Sequence, residues 1–288
     1  MAAIMNRYDF VFLFDVKDGN PNGDPDQDNL PRTDAETQFG FVTDVCIKRK
    51  VRNYVMLKKN RVTEGEYNPE PGYDIFIRQG NVLNPIIENA KGDDIPSRQG
   101  SLVSNYFDIR TFGAVLTTGK KASGTIRGPV QFTFSRSIDR VFQAEHSITR
   151  CVVTTEKEQK QQEKRENAST FGRKSTIPYA LYRMHGFVSV VDAKKTGFSD
   201  EDLELLWESL INAFEHDRSA ARGEMNPRKL FIFKHESYLG NARSGQLFDL
   251  VKINKLVDLP RNWSDYRVDF DINSMPKGVS LDKKHSLL

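Results

Sequence analysis

The stretch YDFVFLFDV, Tyr8–Val16, does most to decide the fold of this chain. It combines alternation with aromatic and β-branched residues, which is typical of a buried strand. The segment that follows, DGNPNGDPDQDNLPRTD, is rich in Gly, Pro, Asn and Asp, and its turn chemistry predicts a long loop. Loops of this length inside a compact domain are usually either functional or disordered.

The next segment, from Thr43 to Lys59, has the period of an amphipathic helix, with Thr43 as the expected N-cap. One apolar face is formed at the spacing i, i+4, i+7 and i+8 by Ile47, Val51, Tyr54 and Val55.

A basic stripe lies beside that apolar face. It is formed by Lys48, Arg52 and Lys59, with Arg49 further round the helix. Asp44 is the one acid between Thr43 and Lys59, so we expect these bases to lack acidic partners at i,i+4. The alternative is the ordinary solvated flank of an amphipathic helix.

The rest of the chain alternates strands, helices and polar segments. Residues 60–105 read as an irregular insertion with one short strand, YDIFIR, and the run 156–167 is too polar to pack on a core. The clearest helix begins at Ser199, where Ser199 and Asp202 form a capping box. Further strands are expected at 129–136, 177–192, 230–234, 246–253 and 268–272, with a short apolar element at 108–116. This order predicts an α+β fold such as a ferredoxin-like core with insertions.

Composition excludes several classes of protein. The 288 residues are 38% hydrophobic and 28% charged, which is typical of a globular chain long enough to bury a core. No stretch approaches ~18 apolar residues, so no membrane-spanning helix is expected. The N-terminal residues lack a signal-peptide pattern, and two cysteines cannot build a disulfide framework. We therefore expect a cytoplasmic protein.

Charge is distributed unevenly although the net charge is only +3. Seven acids and two bases lie from Asp15 to Glu36, whereas seven bases and one acid lie from Thr43 to Arg61. A focused basic patch suits a polyanion better than a uniformly charged surface does.

Two segments resemble known ligand-binding motifs but lack residues that those motifs require. The loop beginning at Asp18 resembles a calcium loop, but its twelfth position is Asn29 instead of a bidentate Glu, and a strand precedes it. The segment from Gly113 to Lys121 imitates a phosphate loop, but it is one residue too long and has Lys121 where Ser or Thr is required. The five histidines show no metal-ligand spacing. No metal or cofactor is therefore expected.

An acidic nuclease site is the alternative hypothesis. Asp24, Asp26 and Asp28 alternate in the loop and could hold a divalent ion in a metal-dependent ribonuclease. Asp also suits tight turns, so a turn-rich loop explains the same residues.

The features that remain are basic and rich in glycine. Phosphates require cations together with close approach of the backbone, which glycine permits. Phe112 and Phe171 lie near these bases and could stack on nucleobases, although aromatic rings are more often core. The segment from Arg183 to Val188 matches half of an RNA-recognition signature. The basic set consists of Lys48, Arg49, Arg52, Lys120, Lys121, Arg127, Arg173 and Lys174.

Five separated blocks occur in the order found in the backbone subunit of the CRISPR surveillance complex Cascade, subtype I-C, and the chain resembles that family (the Cas-seven family). The blocks are DGNPNGDPD (18–26), TDVCIKRKVR (43–52), RTFGAV (110–115), RGPVQF (127–132) and FGRKSTIPYALYRMHGF (171–187). The resemblance extends from about Tyr8 to Asp192, and the later helix and strands fit its order with less specific sequence.

The resemblance implies an RNA-recognition-like (ferredoxin-like) palm with an antiparallel sheet, a helical finger insertion and a thumb hairpin. The implied boundaries are 1–59 for the first part of the palm, 60–105 for the fingers, 106–139 for more palm, 140–176 for the thumb, and 177–288 for the last palm segment and the tail.

The resemblance also implies a function. Such subunits polymerise head to tail along a guide RNA (crRNA), and each thumb displaces one nucleotide at regular intervals. The other bases stay free to pair with target DNA, so the protein holds the backbone and pairing reads the sequence. The implied partners are guide RNA, target DNA through the guide, further copies of the chain and other Cascade subunits, without a membrane.

Particular residues follow from the matching blocks. The basic helix supplies the first group, the RGPVQF block the second, and the return of the thumb the third. The three groups are Thr43, Lys48, Arg49 and Arg52; Arg127, Gly128 and Gln131; and Arg173 and Lys174.

Related type III subunits cut RNA with a loop aspartate, but the resemblance is to the type I branch, so we expect no enzymatic activity.

Overall fold

The protein is described from a computed structural model, in which residues 2–61, 67–150, 152, 155–157 and 170–287 are described. The strands are β1 (Tyr8–Gly19), β2 (Gly23–Asp24), β3 (Leu30–Pro31), β4 (Phe39–Val42), β5 (Gly113–Leu116), β6 (Gly124–Arg127), β7 (Val130–Phe132), β8 (Ser135–Arg140), β9 (Ala144–Arg150), β10 (Thr170–Val188), β11 (Glu224–His235), β12 (Val251–Lys255), β13 (Tyr266–Phe270) and β14 (Val279–Leu281). The helices are α1 (Asp44–Lys58), α2 (Leu83–Glu88), α3 (Ile95–Asn105), α4 (Phe107–Phe112), α5 (Val190–Thr196), α6 (Asp200–Ile211) and α7 (Ser244–Phe248).

Strand β1 lies at the centre of the main sheet. It pairs antiparallel with β10, where Tyr8 lies opposite Val188, and with β11, where Tyr8 lies opposite Lys234. The order across the sheet is β14-β11-β1-β10-β8-β4, and β7 and β9 also pair with β10. Each of these pairings is antiparallel. The expected mixture of helices with an antiparallel sheet is therefore confirmed.

Both faces of β1 are covered, which explains why its sequence is almost continuously apolar. Phe10, Phe12 and Phe14 belong to the core that α1 and α6 form on one face. Val11 and Leu13 belong to a second core on the opposite face, where residues of α7, β12 and β13 cover the sheet. The sheet is therefore the middle layer of three.

The two main helices follow the sequence pattern closely. In α1 the buried apolar side chains are Ile47, Val51 and Val55, as the helical period predicts. At the start of α6, Ser199 and Asp202 form the expected capping box. Tyr54, expected on the same buried face, is only half-buried, and its hydroxyl donates a hydrogen bond to Glu208.

The insertion is helical where the sequence suggested a strand. The expected strand at 73–78 is wrong: α2 and α3 supply the regular structure, with an isolated bridge at Asp74. The backbone N–H groups of Phe76 and Ile77 donate to the carboxylate of Asp108, so a side chain satisfies them instead of a β-ladder. The insertion has its own apolar cluster, which includes Phe76, Ile87 and Leu102.

Other boundaries also change. Residues 246–253 were expected to form one strand, but α7 ends at Phe248 and β12 begins at Val251. The element at 108–116 divides into α4 and β5, and the expected strand over 177–192 ends at Val188, where Ser189 caps α5. Most of the polar run 156–167 lies outside the described residues. Among the described residues, no helix has the length and apolar character needed to span a membrane.

Candidate nucleic-acid interface

The basic side chains along α1 are largely paired, and the expectation that they lack acidic partners at i,i+4 is wrong for Lys48. Lys48 Nζ lies 2.9 Å from Asp44 Oδ2, at the i,i+4 spacing. Lys59 Nζ lies 3.2 Å from a carboxylate oxygen of Glu70 and 3.1 Å from one of Glu201. The sequence could not reveal the partners of Lys59, because they come from distant parts of the chain.

Arg52 is the most deeply placed member of the stripe. Its Nε donates to Asp108 Oδ2 at 2.7 Å, and the two side chains are 11% and 1% exposed. Because the same carboxylate accepts the N–H groups of Phe76 and Ile77, this pair joins α1 to the insertion and to α4. The geometry therefore favours a structural role for Arg52 over direct contact with RNA.

A second buried ion pair also joins α1 to a distant part of the chain. Lys50 and Asp217 form a close ion pair, and Arg222 Nη1 lies 2.9 Å from the same Asp217 carboxylate. Burial lowers the pKa of the Lys50 amine, and Asp217 opposes that change. The inner side of α1 is thus held to the fold by charges as well as by apolar contacts.

Phe112 is part of the core and does not offer an open stacking surface. It is 7% exposed and packs edge-on against Phe132. Lys48 Nζ and Arg52 Cζ lie 5.5 Å and 5.3 Å from the centre of its ring. The ring therefore helps to position two of the α1 cations, with a cation–π attraction to each. The side chain of the other candidate, Phe171, lies outside the described part of the structure.

Two of the sequence blocks meet backbone to backbone. Gly113 ends α4 with φ of +80°, and it lies against Gly128 in the RGPVQF block. A Cβ added to either glycine would overlap the backbone of the other segment. Gln131 donates its side-chain amide to the carbonyl of Gly128 at 3.1 Å. Gly128 and Gln131 therefore hold the α4–β5 junction in place.

The exposed cations form the open part of the predicted set. Arg49 is exposed on α1 and donates to Gln79 Oε1 at 3.2 Å. Arg127 is 78% exposed at the end of β6, with Asp192 at 3.4 Å. Lys120 and Lys121 are exposed in the turn that joins β5 to β6. These four side chains remain accessible to a polyanion.

Arg173 and Lys174 lie on a hairpin that leaves the main sheet. Residues 170–176 of β10 pair with β9, where Arg173 lies opposite Ser147 and Lys174 opposite His146. Residues 145–149 of β9 are all exposed, and so is Arg173, whereas Lys174 is half-buried. Successive side chains on a strand point to opposite faces, so the two cations lie on opposite sides of this hairpin.

The half signature at Arg183–Val188 does not form an open RNA platform. His185 stacks on Phe248 with ring centres 4.0 Å apart. Arg183 donates to the carbonyl oxygens of Phe248 and Val251, and thereby attaches β10 to the covering layer. Burial, together with the neighbouring Arg183 charge, lowers the pKa of His185 to about 4. Single-stranded RNA cannot reach this covered part of the sheet.

The acidic loop packs at the start of α1 instead of collecting carboxylates. Asn22 Oδ1 accepts hydrogen bonds from both the backbone N–H and the hydroxyl of Thr43, so the Thr43 hydroxyl does not cap the helix as expected. Asp24 pairs with Arg32 at 3.4 Å, while Asp26 and Asp28 are exposed. Within the described ranges, no group of three acidic, histidine or cysteine side chains could hold a metal ion.

One exposed aromatic surface is not evident from the sequence. Phe41 and Phe134 stack in parallel with ring centres 5.9 Å apart, and Arg136 Cζ lies 5.6 Å from the ring of Phe41. Phe134 is 46% exposed. The alternation in the segment around Phe134 and Arg136 was a signal for their shared face, but the contact with Phe41 depends on the pairing of β4 with β8.

Comparisons with known proteins identify relatives for most of the chain. The family model described as CRISPR-associated protein Cas7 matches residues 6–271. A Haloferax volcanii protein described as CRISPR-associated protein Cas7 is 24% identical over 282 aligned positions, covering 86% of this chain and 76% of that protein.

Two of the solved structures that match the chain have low sequence identity to it. A chain of a structure described as a CRISPR RNA-guided surveillance complex, pre-nicking, is 12% identical with a TM-score of 0.48, covering 79% of this chain and 78% of that chain. A chain of a Type III-B Cmr-beta complex bound to cognate target RNA is 12% identical with a TM-score of 0.42, covering 79% of this chain and 61% of that chain.

Proposed function

This chain belongs to the CRISPR-associated Cas7 family, and on that premise we propose that it is the guide-RNA-binding backbone subunit of a CRISPR interference complex of subtype I-C. Copies of the chain assemble head to tail along the RNA, other Cascade subunits complete the assembly, and the guide bases pair with target DNA. The protein acts as a scaffold and has no catalytic role.

The topology supports an RNA-recognition-like palm. If β7 and β8 are counted as one strand, the chain passes through β1, α1, β7/β8, β10, α6 and β11. In the sheet these strands lie in the order β11-β1-β10-β8, that is, fourth, first, third, second. This strand–helix–strand–strand–helix–strand arrangement corresponds to a ferredoxin-like core.

Two departures from that core support the proposed fingers and thumb. The fingers correspond to 60–105, which contain α2 and α3 and contribute most of a separate apolar cluster. The thumb corresponds to 140–176, which contains the hairpin of β9 with the first part of β10. The remaining ranges, 1–59, 106–139 and 177–288, then form the palm and the tail.

The hairpin is the observation that carries this proposal. A 19-residue strand begins outside the main sheet, carries Arg173 and Lys174 beside exposed β9, and then enters the core as the neighbour of β1. An arm with cations on both sides can contact the phosphates of a strand that passes beneath it, without reading bases. Binding of this kind accepts any guide sequence.

The proposed RNA contacts are the accessible cations together with backbone at the glycine junction. Phosphate contacts are assigned to exposed side chains on α1, on the β5–β6 turn, on β6 and on the hairpin. Thr43, Lys48, Arg52 and Gln131 are assigned a positioning role, because the carboxylates, amide and carbonyl described above occupy them. The proposed contacts are Arg49, Lys120, Lys121, Arg127, Arg173, Lys174 and the backbone of Gly128.

RNA binding at different salt concentrations tests the proposal. The variant Arg173→Ala with Lys174→Ala should bind single-stranded RNA more weakly, and the slope of log affinity against log salt should fall by roughly 1.4, at about 0.7 per phosphate contact. Lys277→Ala with Lys283→Ala is the matched control, because it removes two exposed cations beside β14, an edge strand that β11 and β1 separate from β10. An equal loss in both variants would contradict the assignment of the hairpin, and no retention of RNA by the unaltered protein at low salt would contradict the function.

Labelled RNA tests the assignment as a scaffold. Incubation with Mg²⁺ or Mn²⁺ should leave the RNA intact. Cleavage that Asp24→Ala or Asp26→Ala abolishes would instead support the ribonuclease alternative.

A further inference from the structure

The β5–β6 hairpin packs with the helices of the fingers as one lobe. It lies in the range 106–139 assigned above to the palm, but its Leu116 and Ile126 belong to the apolar cluster of the fingers. A side chain of α3 also holds the turn of this hairpin, because Arg98 Nη2 donates to the carbonyl of Ala122 at 2.9 Å. The finger lobe thus consists of residues 74–105 and 113–127.

This packing divides the proposed phosphate-binding cations between two bodies. Lys120 and Lys121 lie on the finger lobe, and Arg127 ends the lobe at the last residue of β6. Arg49 lies on α1 in the palm and donates to Gln79 of the lobe at 3.2 Å. Contacts to the phosphates of one strand fix its register, so both groups of cations can contact the same strand only if the lobe keeps one position relative to α1.

Arg110 of α4 binds the lobe close to both points where the chain crosses between palm and lobe. Its Nη1 donates to the carbonyl oxygens of Gly72 at 3.0 Å and Val103 at 2.8 Å. Its Nε and Nη2 donate to the two carboxylate oxygens of Asp202 in α6, at 2.9 Å and 2.7 Å. The side chains of Arg110 and Asp202 are 9% and 1% exposed. One buried guanidinium therefore joins both crossings to a helix of the palm.

The shape of the guanidinium is what makes this arrangement possible. Two of its N–H groups match the two oxygens of a carboxylate, while the rigid fork directs the others at the two carbonyls. A lysine would keep the positive charge, but its single ammonium on a flexible stem cannot reproduce that fork. The pair of Arg52 with Asp108 reaches the lobe only through the adjacent N–H groups at 76–77, so it attaches one side of the lobe.

We propose that Arg110 is a positioning residue for RNA binding, because it fixes the finger lobe relative to the palm. The cations of the β5–β6 turn and Arg49 of α1 then contact phosphates of the same strand. Arg110 itself is buried, and its donors are engaged by protein oxygens, so it acts through the lobe without a contact to RNA. This inference rests on the proposed binding of guide RNA.

The salt dependence of RNA binding separates positioning from stability. Lys120→Ala with Lys121→Ala should reduce the slope of log affinity against log salt by roughly 1.4, at about 0.7 per phosphate contact. Arg110→Lys should reduce the slope by a similar amount, and the three substitutions together should reduce it no further, because the two lysines are already displaced. Each variant is measured by filter binding well below its thermal midpoint. A full slope in Arg110→Lys, or losses that add in the combined variant, overturns the proposal.

Arg228→Lys is the matched control for this exchange. Arg228 Nε donates to Asp15, which is 1% exposed beside the second core, so the variant disturbs a buried ion pair away from the lobe. It should lower the thermal midpoint and keep the salt slope. A loss of slope equal to that of Arg110→Lys would mean that lost stability causes the effect, and the proposal fails. Asp202→Asn, which keeps the shape of the partner and removes its charge, replaces Arg110→Lys if that variant does not unfold cooperatively.

Spin-label distances test the position of the lobe without RNA. One label replaces Val82 at the start of α2 and the other replaces Leu57 on α1, since both side chains are exposed, and the two cysteines are first changed to alanine. Pulsed EPR should show a shifted or broadened distance distribution in Arg110→Lys and the original distribution in Arg228→Lys. An unchanged distribution in Arg110→Lys overturns the proposal even if the protein binds RNA. Failure of the unaltered protein to retain RNA contradicts the proposed function, and the positioning role falls with it.

Discussion

Replacement of Arg52 by alanine separates a structural cation from an RNA-binding one on the same helix. Arg52 donates to Asp108, whose carboxylate also accepts the N–H groups of Phe76 and Ile77. The Arg52→Ala variant leaves that carboxylate 1% exposed with two amide donors and no countercharge from α1. It should therefore lose stability before it loses any contact with RNA.

The magnitude follows from the burial of the pair. Removing one partner of a buried ion pair costs about 3–5 kcal/mol, because the other charge stays buried without compensation. In this case the two remaining amide donors favour the lower end of that range. At about 2–4 °C per kcal/mol for a large domain, the thermal midpoint should fall by roughly 6 °C or more.

Arg49→Ala is the matched comparison, since Arg49 is exposed on the same helix. Its free energy of unfolding should change by less than about 0.5 kcal/mol. The slope of log RNA affinity against log salt should become shallower by about 0.7. Both variants are measured by thermal denaturation and by filter binding well below their midpoints. The reasoning would be refuted if Arg52→Ala kept the midpoint of the unaltered protein and weakened RNA binding as much as Arg49→Ala does.

Three further variants or conditions test other parts of the structure. Burial lowers the pKa of His185 to about 4, so the folded state resists a proton that the unfolded state takes up near pH 6.5. His185 should thus leave the free energy of unfolding unchanged above pH 6.5 and lower it by up to about 2 kcal/mol towards pH 4, after allowance for partial exposure. Urea denaturation of His185→Gln should show a weaker dependence of that free energy on pH. The same pH dependence in the variant and the unaltered protein would count against the buried neutral ring. Gly128→Ala should lower the midpoint of urea unfolding by an amount equivalent to about 1–3 kcal/mol, because its Cβ meets the backbone of the α4–β5 junction; an unchanged midpoint refutes that close contact. Lys120→Ala with Lys121→Ala should reduce the salt slope of RNA binding without a change in thermal midpoint, since both side chains are exposed, and an unchanged slope removes the β5–β6 turn from the interface.

The sequence pattern was sufficient for elements whose partners it implied. The apolar run at Tyr8–Val16 predicts a buried strand, and the period of 43–59 predicts α1 with the correct buried face. The capping box at Ser199 locates the start of α6 to the residue, since cap and partner are three positions apart. In each case the decisive interactions are local or follow from burial alone.

Secondary structure was predicted wrongly from the sequence pattern where a contact with a distant side chain determines the local backbone conformation. The segment 73–78 has the composition of a strand, but the carboxylate of Asp108 takes its backbone donors, and a ladder does not form. The segment 246–253 has the apolar content of a strand, but its first half belongs to a short helix, from which Phe248 stacks on His185. Strand propensity describes a preference for pleated, half-buried surface, which tertiary contacts can override.

By itself the sequence determined the central strand, the helix that carries the basic side chains, and the blocks that relate the chain to its family. The tertiary structure alone decided which cations stay accessible. Lys48, Arg52 and Lys59 share one stripe in the sequence, yet folding brings Asp108, Glu70 and Glu201 to two of them and leaves Arg49 exposed. The physical reason is that a charge is neutralised by whichever carboxylate folding brings within a few ångströms, and for Arg52 and Lys59 those carboxylates lie outside α1.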